Sequence, residues 1–157
     1  MKNRSFKIVV PFYNVENWIH KCVQSIRLQT YKNFVCYLID DLSTDNTVNK
    51  ILPLIEEDNR FVLIRNKEKK YALQNICDAI VESGNDAEDI IVTLDGDDWF
   101  ATKKSLEILN QKYNTYNCWI TYGSYVEYPS MQKGKFCKPI DSNIIKNNSY
   151  GFYVPDA

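Results

Sequence analysis

The sequence predicts an α/β domain with a mostly parallel central sheet flanked by helices on both faces. Apolar, β-branched runs alternate four times with segments of helical periodicity, and the connections between them are short. The runs are continuous rather than alternating, as strands buried on both sides require. With 157 residues, 45% of them hydrophobic, the chain is long enough for one domain around a packed core.

The first strand is expected at Phe6–Phe12, through Ile8-Val9-Val10, with Pro11 ending its ladder for want of an N–H. A helix follows from Glu16 to about Gln29, with Ile19, Cys22, Val23 and Ile26 on its apolar face and Asn14 as its cap. Phe34–Ile39 forms the second strand and stops at Asp40-Asp41. The turn Ser43-Thr44-Asp45-Asn46 caps a second helix that carries Val48, Ile51, Leu52 and Ile55. Pro53 inside that helix costs roughly 3 kcal/mol, which predicts a kink or two shorter helices. Phe61–Ile64 is the third strand, and the third helix, Tyr71–Val81, runs through Leu73, Ile76, Cys77 and Ile80 toward Gly84. Ile90–Leu94 is the fourth strand, Leu106, Leu109 and Tyr113 mark a fourth helix, and Cys118–Tyr122 a fifth strand. Beyond Gly123 the chain turns polar and no regular structure is expected. The whole of 1–157 reads as a single domain, with a core at 6–122 and a tail at 123–157.

Composition narrows the function. The 19 basic and 20 acidic residues nearly cancel, so no polybasic surface exists for nucleic acid or an anionic membrane. The apolar run near the N-terminus ends at Pro11, too short for a signal core or an integral membrane segment, and the protein is expected to be cytoplasmic. The five cysteines, Cys22, Cys36, Cys77, Cys118 and Cys137, form no Cys-x-x-Cys pair. Their spacing argues against a disulfide framework or a zinc site and suggests small, mostly buried apolar residues. Neither a Gly-x-x-x-x-Gly-Lys-Ser/Thr loop nor a Gly-x-Gly-x-x-Gly turn occurs, so no glycine-rich cradle is available for phosphate.

The unusual polar residues gather where strands end, which is where open α/β sheets bind ligands. Pro11-Phe12-Tyr13-Asn14 follows strand one, Asp40-Asp41 strand two, and Asp95-Gly96-Asp97-Asp98 strand four. Three carboxylates within four residues repel one another, and a cation relieves that repulsion. An all-oxygen ligand set suits Mn²⁺ or Mg²⁺, ions for which protein carboxylates and substrate phosphates together complete the shell. That combination points to a nucleotide diphosphate. Each residue also has a plainer reading: Asp40-Asp41 as a solvated cap, the Asp95–Asp98 cluster as an exposed turn or weak calcium loop, and Tyr13 as strand-end packing rather than a stacking face for a base. His20 reads as a surface residue, and Lys67, Lys69 and Lys70 as a solvated loop rather than a phosphate clamp.

Assembled in order, these segments resemble glycosyltransferase family 2, inverting enzymes of the GT-A fold, a Rossmann-like α/β architecture. Ile8-Val9-Val10-Pro11-Phe12-Tyr13-Asn14 resembles the family's opening strand, and Gln29-Thr30-Tyr31 its link to strand two. Ile39-Asp40-Asp41-Leu42-Ser43-Thr44-Asp45-Asn46-Thr47 resembles its nucleoside-binding turn, and Leu94-Asp95-Gly96-Asp97-Asp98-Trp99 its Asp-x-Asp metal motif. The resemblance implies metal-dependent transfer of a sugar from a nucleotide-diphospho-sugar, a UDP-sugar first, to an acceptor hydroxyl on a glycan, lipid or protein. It implies that Pro11 and Tyr13 border the base, that Asp41 accepts a hydrogen bond from its edge, and that Asp40 supports the loop. Asp95 would lie near ribose and metal, with Asp97 or Asp98 binding the ion. The chain departs from the family at Leu42, where glycine is common, and at Gln74, where Ala72-Leu73-Gln74-Asn75 replaces an Ala-Arg-Asn segment. The family's general base lies beyond the metal motif, in an acceptor-binding half; nothing around Asp141 or Asp156 marks either as that base, so no catalytic residue is assigned. The alternative expectation is a catalytically incomplete module that binds nucleotide-sugar, the tail at 123–157 being a truncated or divergent acceptor side. A phosphoryl-transfer domain of receiver type would need a lysine at a later strand end, where this chain has Tyr122-Gly123.

Overall fold

The structure, a computed structural model, describes residues 2–84, 86, 88–116, 118–134 and 142–147. They fall into two compact units, 1–117 and 118–157. In the first, strands β1 (Phe6–Phe12), β2 (Phe34–Asp40), β3 (Phe61–Arg65) and β4 (Ile90–Thr93) form one sheet in the order β3-β2-β1-β4. All three pairings are parallel, with Phe12 opposite Asp40, Asp40 opposite Arg65, and Val9 opposite Thr93.

Every residue of β1 is buried, and the period of two along the strands sorts side chains onto two faces. Phe6, Ile8, Val10 and Phe12 join Phe34, Cys36 and Leu38 in a cluster with helices α1 (Ile19–Arg27), α2 (Thr47–Ile55) and α4 (Ser105–Thr115). These helices contribute Ile19, Cys22, Val23 and Ile26, then Ile51, then Leu106. Val9 and Ile39, with Tyr37, Ile64 and Ile91, face helix α3 (Tyr71–Glu82) through Ile76 and Ala79. The expected α/β sheet, with helices on both faces, is therefore present. The chain steps from β1 out to β2 and β3 and then returns past β1 to β4. Right-handed crossovers place α1 and α2 on one face and the returning α3 on the other. Each apolar side chain fully buried here contributes roughly 1.5–3 kcal/mol.

Buried polar groups brace this layer. Gln29, fully buried, donates to the carbonyls of Ser25 and Thr102 and accepts from the Leu106 N–H in the first turn of α4. Lys7 crosses beneath α3, donating to the Ser83 carbonyl at its C-terminal end and pairing with Asp89 at 2.9 Å.

Several local expectations change. Helix α1 begins at Ile19 rather than Glu16 and has no side-chain cap. Asn14 is spent elsewhere, and Glu16 accepts from the Asn46 N–H. Pro11 does not end β1, which pairs with β2 through Phe12. Helix α2 continues through Pro53 as one helix, and Leu52 points outward, 47% exposed. In α3 the sheet-facing residues are Asn75, Ile76 and Ala79, whereas Leu73 is 75% exposed and Cys77 is also exposed. Cys22 and Cys36 are buried as expected, Cys118 is half-buried, and Cys137 lies outside the described residues.

In the second unit, Cys118–Tyr122 forms no strand: among the described residues none pairs with it, and Trp119 is 92% exposed. The stretch after Gly123, expected to be irregular, contains a short antiparallel hairpin of β5 (Val126–Glu127) and β6 (Gln132–Lys133), and helix α5 (Ser142–Asn147). Among the described residues no helix is long and apolar enough to cross a membrane.

Candidate functional site

Parallel pairing brings the ends of β1, β2 and β4 to one edge of the sheet, the edge on which the sequence places its acidic segments. Pro11 opens this edge. Even-numbered residues of β1 direct their backbone polar groups toward β2, as in Asp41 N–H to the Phe12 carbonyl at 2.9 Å. Odd-numbered residues face β4, as in Leu94 N–H to the Val9 carbonyl at 3.1 Å. Pro11 thus presents its missing N–H to β4 alone, the β1–β4 ladder stops at Val9 and Thr93, and the chain after β4 leaves the sheet. This divergence of β1 and β4 lies at the point where strand order reverses, the place where open α/β sheets bind ligands.

Two loops close over the β1–β2 side. The Asn14 side-chain oxygen accepts from the Thr44 N–H at 2.8 Å, and Thr47 Oγ accepts from the Val15 N–H. Asp45 accepts from the Glu16 N–H and caps Thr47. Asn14 has φ 52°, a left-handed conformation that asparagine tolerates.

Asp40 is buried; one of its oxygens accepts from the Ser43 N–H at 2.8 Å, and the other lies 3.5 Å from Arg65 Nε. Asp41 is buried as well. Its Oδ1 accepts from Asn66 Nδ2 at 2.9 Å and the Lys70 N–H at 2.8 Å, and its Oδ2 from the Tyr71 N–H at 3.0 Å. Burial pushes the Asp41 carboxyl up, but these donors outweigh it and hold the group below its ordinary value. Tyr13, at the end of β1, is 46% exposed, with the Lys69 ammonium over its ring.

The acidic loop lies on the other side of β1. The Asp98 N–H bonds to the Asp95 carbonyl at 3.0 Å, folding 95–98 into a turn with Asp95, Asp97 and Asp98 exposed. Gly96 is buried against β1: a Cβ there would sit 2.5 Å from Phe12 Cβ. Beneath the loop, the Cys22 thiol points at the Asp95 carbonyl, 3.8 Å away. Burial first, and then Asp98, Asp97 and Asp95, push that thiol up and keep it neutral. Past the turn, Trp99 stacks on Trp18 with centroids 6.3 Å apart, and the Lys21 ammonium lies 4.9 Å from the Trp99 ring centre.

Partial burial, then Asp97 and Asp95, raise the Asp98 carboxyl above its ordinary value, so these like charges crowd one another. Among the described residues no three His, Cys, Asp or Glu side chains converge tightly enough to enclose an ion by themselves. The turn offers only oxygen ligands and is strongly anionic, so Asp95, Asp97 and Asp98 are the residues that could hold a hard divalent cation, which would need phosphate and water for the rest of its shell.

The sequence reading missed Asn66, Asn75 and Gly96, and it took Lys69, which lies against Tyr13 and Asp41, for part of a solvated loop. Asn66 directly follows β3, so the rule that drew attention to the other strand ends would have found it. Asn75 is buried on α3 and accepts from Asn66 Nδ2, which links the helix to Asp41. His20 is exposed, as expected, and Asp141 and Asp156 lie outside the described residues.

A family model described as Glycosyl transferase family 2 matches residues 7–152, and the chain belongs to that family. It is similar to the glycosyltransferase GlyA of Streptococcus pneumoniae, 31% identical over 77% of this chain and 17% of the relative. It is also similar to an Escherichia coli UDP-Glc:alpha-D-GlcNAc-diphosphoundecaprenol beta-1,3-glucosyltransferase, WfaP, 32% identical over 87% of this chain and 52% of the relative. The chain thus spans from 17% to 52% of the length of these two relatives. Among solved structures it resembles Staphylococcus aureus TarS 1-349 in complex with UDP-GlcNAc, with TM-score 0.60, 20% identity and coverage of 72% of this chain and 32% of that one. It also resembles the mannosyltransferase PcManGT of Pyrobaculum calidifontis in complex with GDP-Man and Mn²⁺, with TM-score 0.57, 21% identity and coverage of 64% and 30%. These neighbours share the GT-A fold.

Proposed function

We propose that this family 2 glycosyltransferase chain holds a UDP-sugar at the carboxyl edge of its sheet, with Mn²⁺ or Mg²⁺ at Asp95, Asp97 and Asp98. The observation that supports the reading is that the strand order puts Tyr13 at the end of β1, Asp41 after β2 and the acidic turn after β4 on one edge of the sheet, on either side of β1. Pro11 and Tyr13 border the base, and Asp41 offers it an acceptor from a loop that Asp40 holds in place. Asp95 lies toward the ribose and the ion, and Asp97 and Asp98 face the diphosphate. When bound, the ion supplies Lewis-acid neutralisation of the leaving diphosphate. The acceptor hydroxyl oxygen attacks the anomeric carbon as the bond from that carbon to the diphosphate breaks, inverting the centre, and the hydroxyl proton passes to a carboxylate base of the acceptor-binding half, to which no described residue is assigned. The glucosyltransferase relative's UDP-Glc donor and the UDP-GlcNAc of the TarS complex support a uridine nucleotide. The Mn²⁺ of the mannosyltransferase complex supports the ion.

Calorimetric titration with UDP, GDP and CDP, each with Mn²⁺ and with a chelator, tests this. UDP is expected to bind best, and far more tightly with the metal present than with the chelator. The double variant Asp97→Asn, Asp98→Asn should keep its circular dichroism and lose metal-dependent binding; unaltered affinity would overturn the metal assignment. Sugar transfer to an acceptor, measured beside donor binding, separates a transferase from a module that only holds its donor.

A further inference from the structure

The loop Asn66-Lys67-Glu68-Lys69-Lys70 places positive charge beside Asp41, and its lysines differ in what they touch. Lys70 Nζ is held by Asp78 at 2.8 Å, and the Gln74 amide donates to the same carboxylate at 2.6 Å, so both are directed along α3. Gln74 therefore does not stand in for a cation at the site. Lys69 behaves differently: its ammonium lies 2.8 Å from the centre of the Tyr13 ring and 3.9 Å from Asp41 Oδ2.

Those two residues are the ones assigned above to the base, and the inference rests on that assignment. Asp41 Oδ1 takes two donors and Oδ2 one, and a carboxylate has roughly four acceptor positions. Lys69 thus approaches the oxygen that has capacity left. A base stacked on Tyr13 with an N–H on Asp41 Oδ2 would need the space that the ammonium fills. A cation–π contact at a half-exposed ring, with a long and partly exposed ion pair, is weak enough for a base to displace. The displaced ammonium keeps its charge at an edge lined by Asp40, Asp41, Asp95, Asp97 and Asp98. The strongest partner a bound donor brings there is its diphosphate, to which a lysine acts as a mobile point charge.

We infer that Lys69 is a donor-site cation with two positions, over Tyr13 in the empty protein and against the donor's phosphate oxygens once a base has taken the ring face. The two positions give Lys69 opposite effects on base and phosphate binding. Lys69→Met keeps the aliphatic stem and removes the charge. NMR titration with Mg²⁺ present should show its UDP affinity falling about tenfold, the effect of one charge-assisted hydrogen bond. Uridine affinity should hold or rise, because nothing charged competes for the ring, and Lys69→Arg should recover most of the UDP affinity. Equal weakening of uridine and UDP would overturn the inference, since Lys69 would then read the base or brace its loop. No change in either ligand would overturn it too. If the unaltered chain binds neither uridine nor UDP, the donor assignment of Tyr13 and Asp41 has itself failed.

Discussion

The carboxylate of Asp41 closes the start of α3, accepting from the backbone N–H groups of Lys70 and Tyr71 as well as from Asn66. An amide at this position offers one acceptor oxygen and would leave at least one of these donors unmatched. Asp41→Asn should therefore lower stability by about 2–3 kcal/mol near neutral pH. The native carboxyl sits below the ordinary value of 3.8, so its contribution is complete above that value. It disappears as pH falls through the lower native one. Urea midpoints of the two proteins should converge in acid; a constant gap down to full protonation would show that the charge is irrelevant. The next residue carries a different tension. Leu42 has φ 66°, and a left-handed leucine costs roughly 1–2 kcal/mol. Glycine removes that strain but brings back about 0.5–1 kcal/mol of chain entropy. Leu42→Gly should thus stabilise by up to about 1 kcal/mol, read as a rise in melting temperature; a fall would mean that the half-exposed leucine makes packing contacts that outweigh its backbone strain.

Among the elements, β1 and the acidic turn depend on each other. Pro11 releases β4 from the ladder, and Gly96 lets the released chain return against Phe12. Gly96→Ala puts a methyl group 2.5 Å from Phe12 Cβ, so the turn must move outward. The expected cost is about 1–3 kcal/mol of stability, together with a loss of metal-dependent nucleotide binding larger than the stability change explains. Retained binding at normal stability would show that the turn has room to spare. The strands were legible in the sequence because burial on two faces leaves uninterrupted apolar runs. Helix α3 was legible as a helix but not in its orientation. Apolar residues surround it almost completely, so periodicity does not choose between a face with Leu73 and Cys77 and the one with Asn75, Ile76 and Ala79. The polar Asn75 turns inward because Asn66 and the Asp41 loop await it there. Cys118–Tyr122 has strand composition but, among the described residues, no strand pairs with it, and composition alone does not supply a partner.

At the scale of the whole molecule, the strand order β3-β2-β1-β4 turns three separate loops into one edge. If that edge holds a metal-bound nucleotide, the ligand stabilises the folded chain by mass action. At one hundred times its dissociation constant, UDP with Mn²⁺ should add about 2.7 kcal/mol. The melting temperature should rise accordingly and return to its starting value when a chelator is added. A rise indifferent to chelation would separate nucleotide binding from the acidic turn. By itself the sequence determined the order of strands and helices, the burial of the sheet and the placing of the acidic segments at strand ends, because these follow from local periodicity and from which residues interrupt it. Only the tertiary structure decided which lone pairs of Asp41 are already used, that Gly96 lies against β1, and that Lys69 rather than Gln74 brings charge to Tyr13. The donors to Asp41 come from residues 25 to 30 positions away, and a hydrogen bond between residues so far apart exists only once the sheet has brought them together.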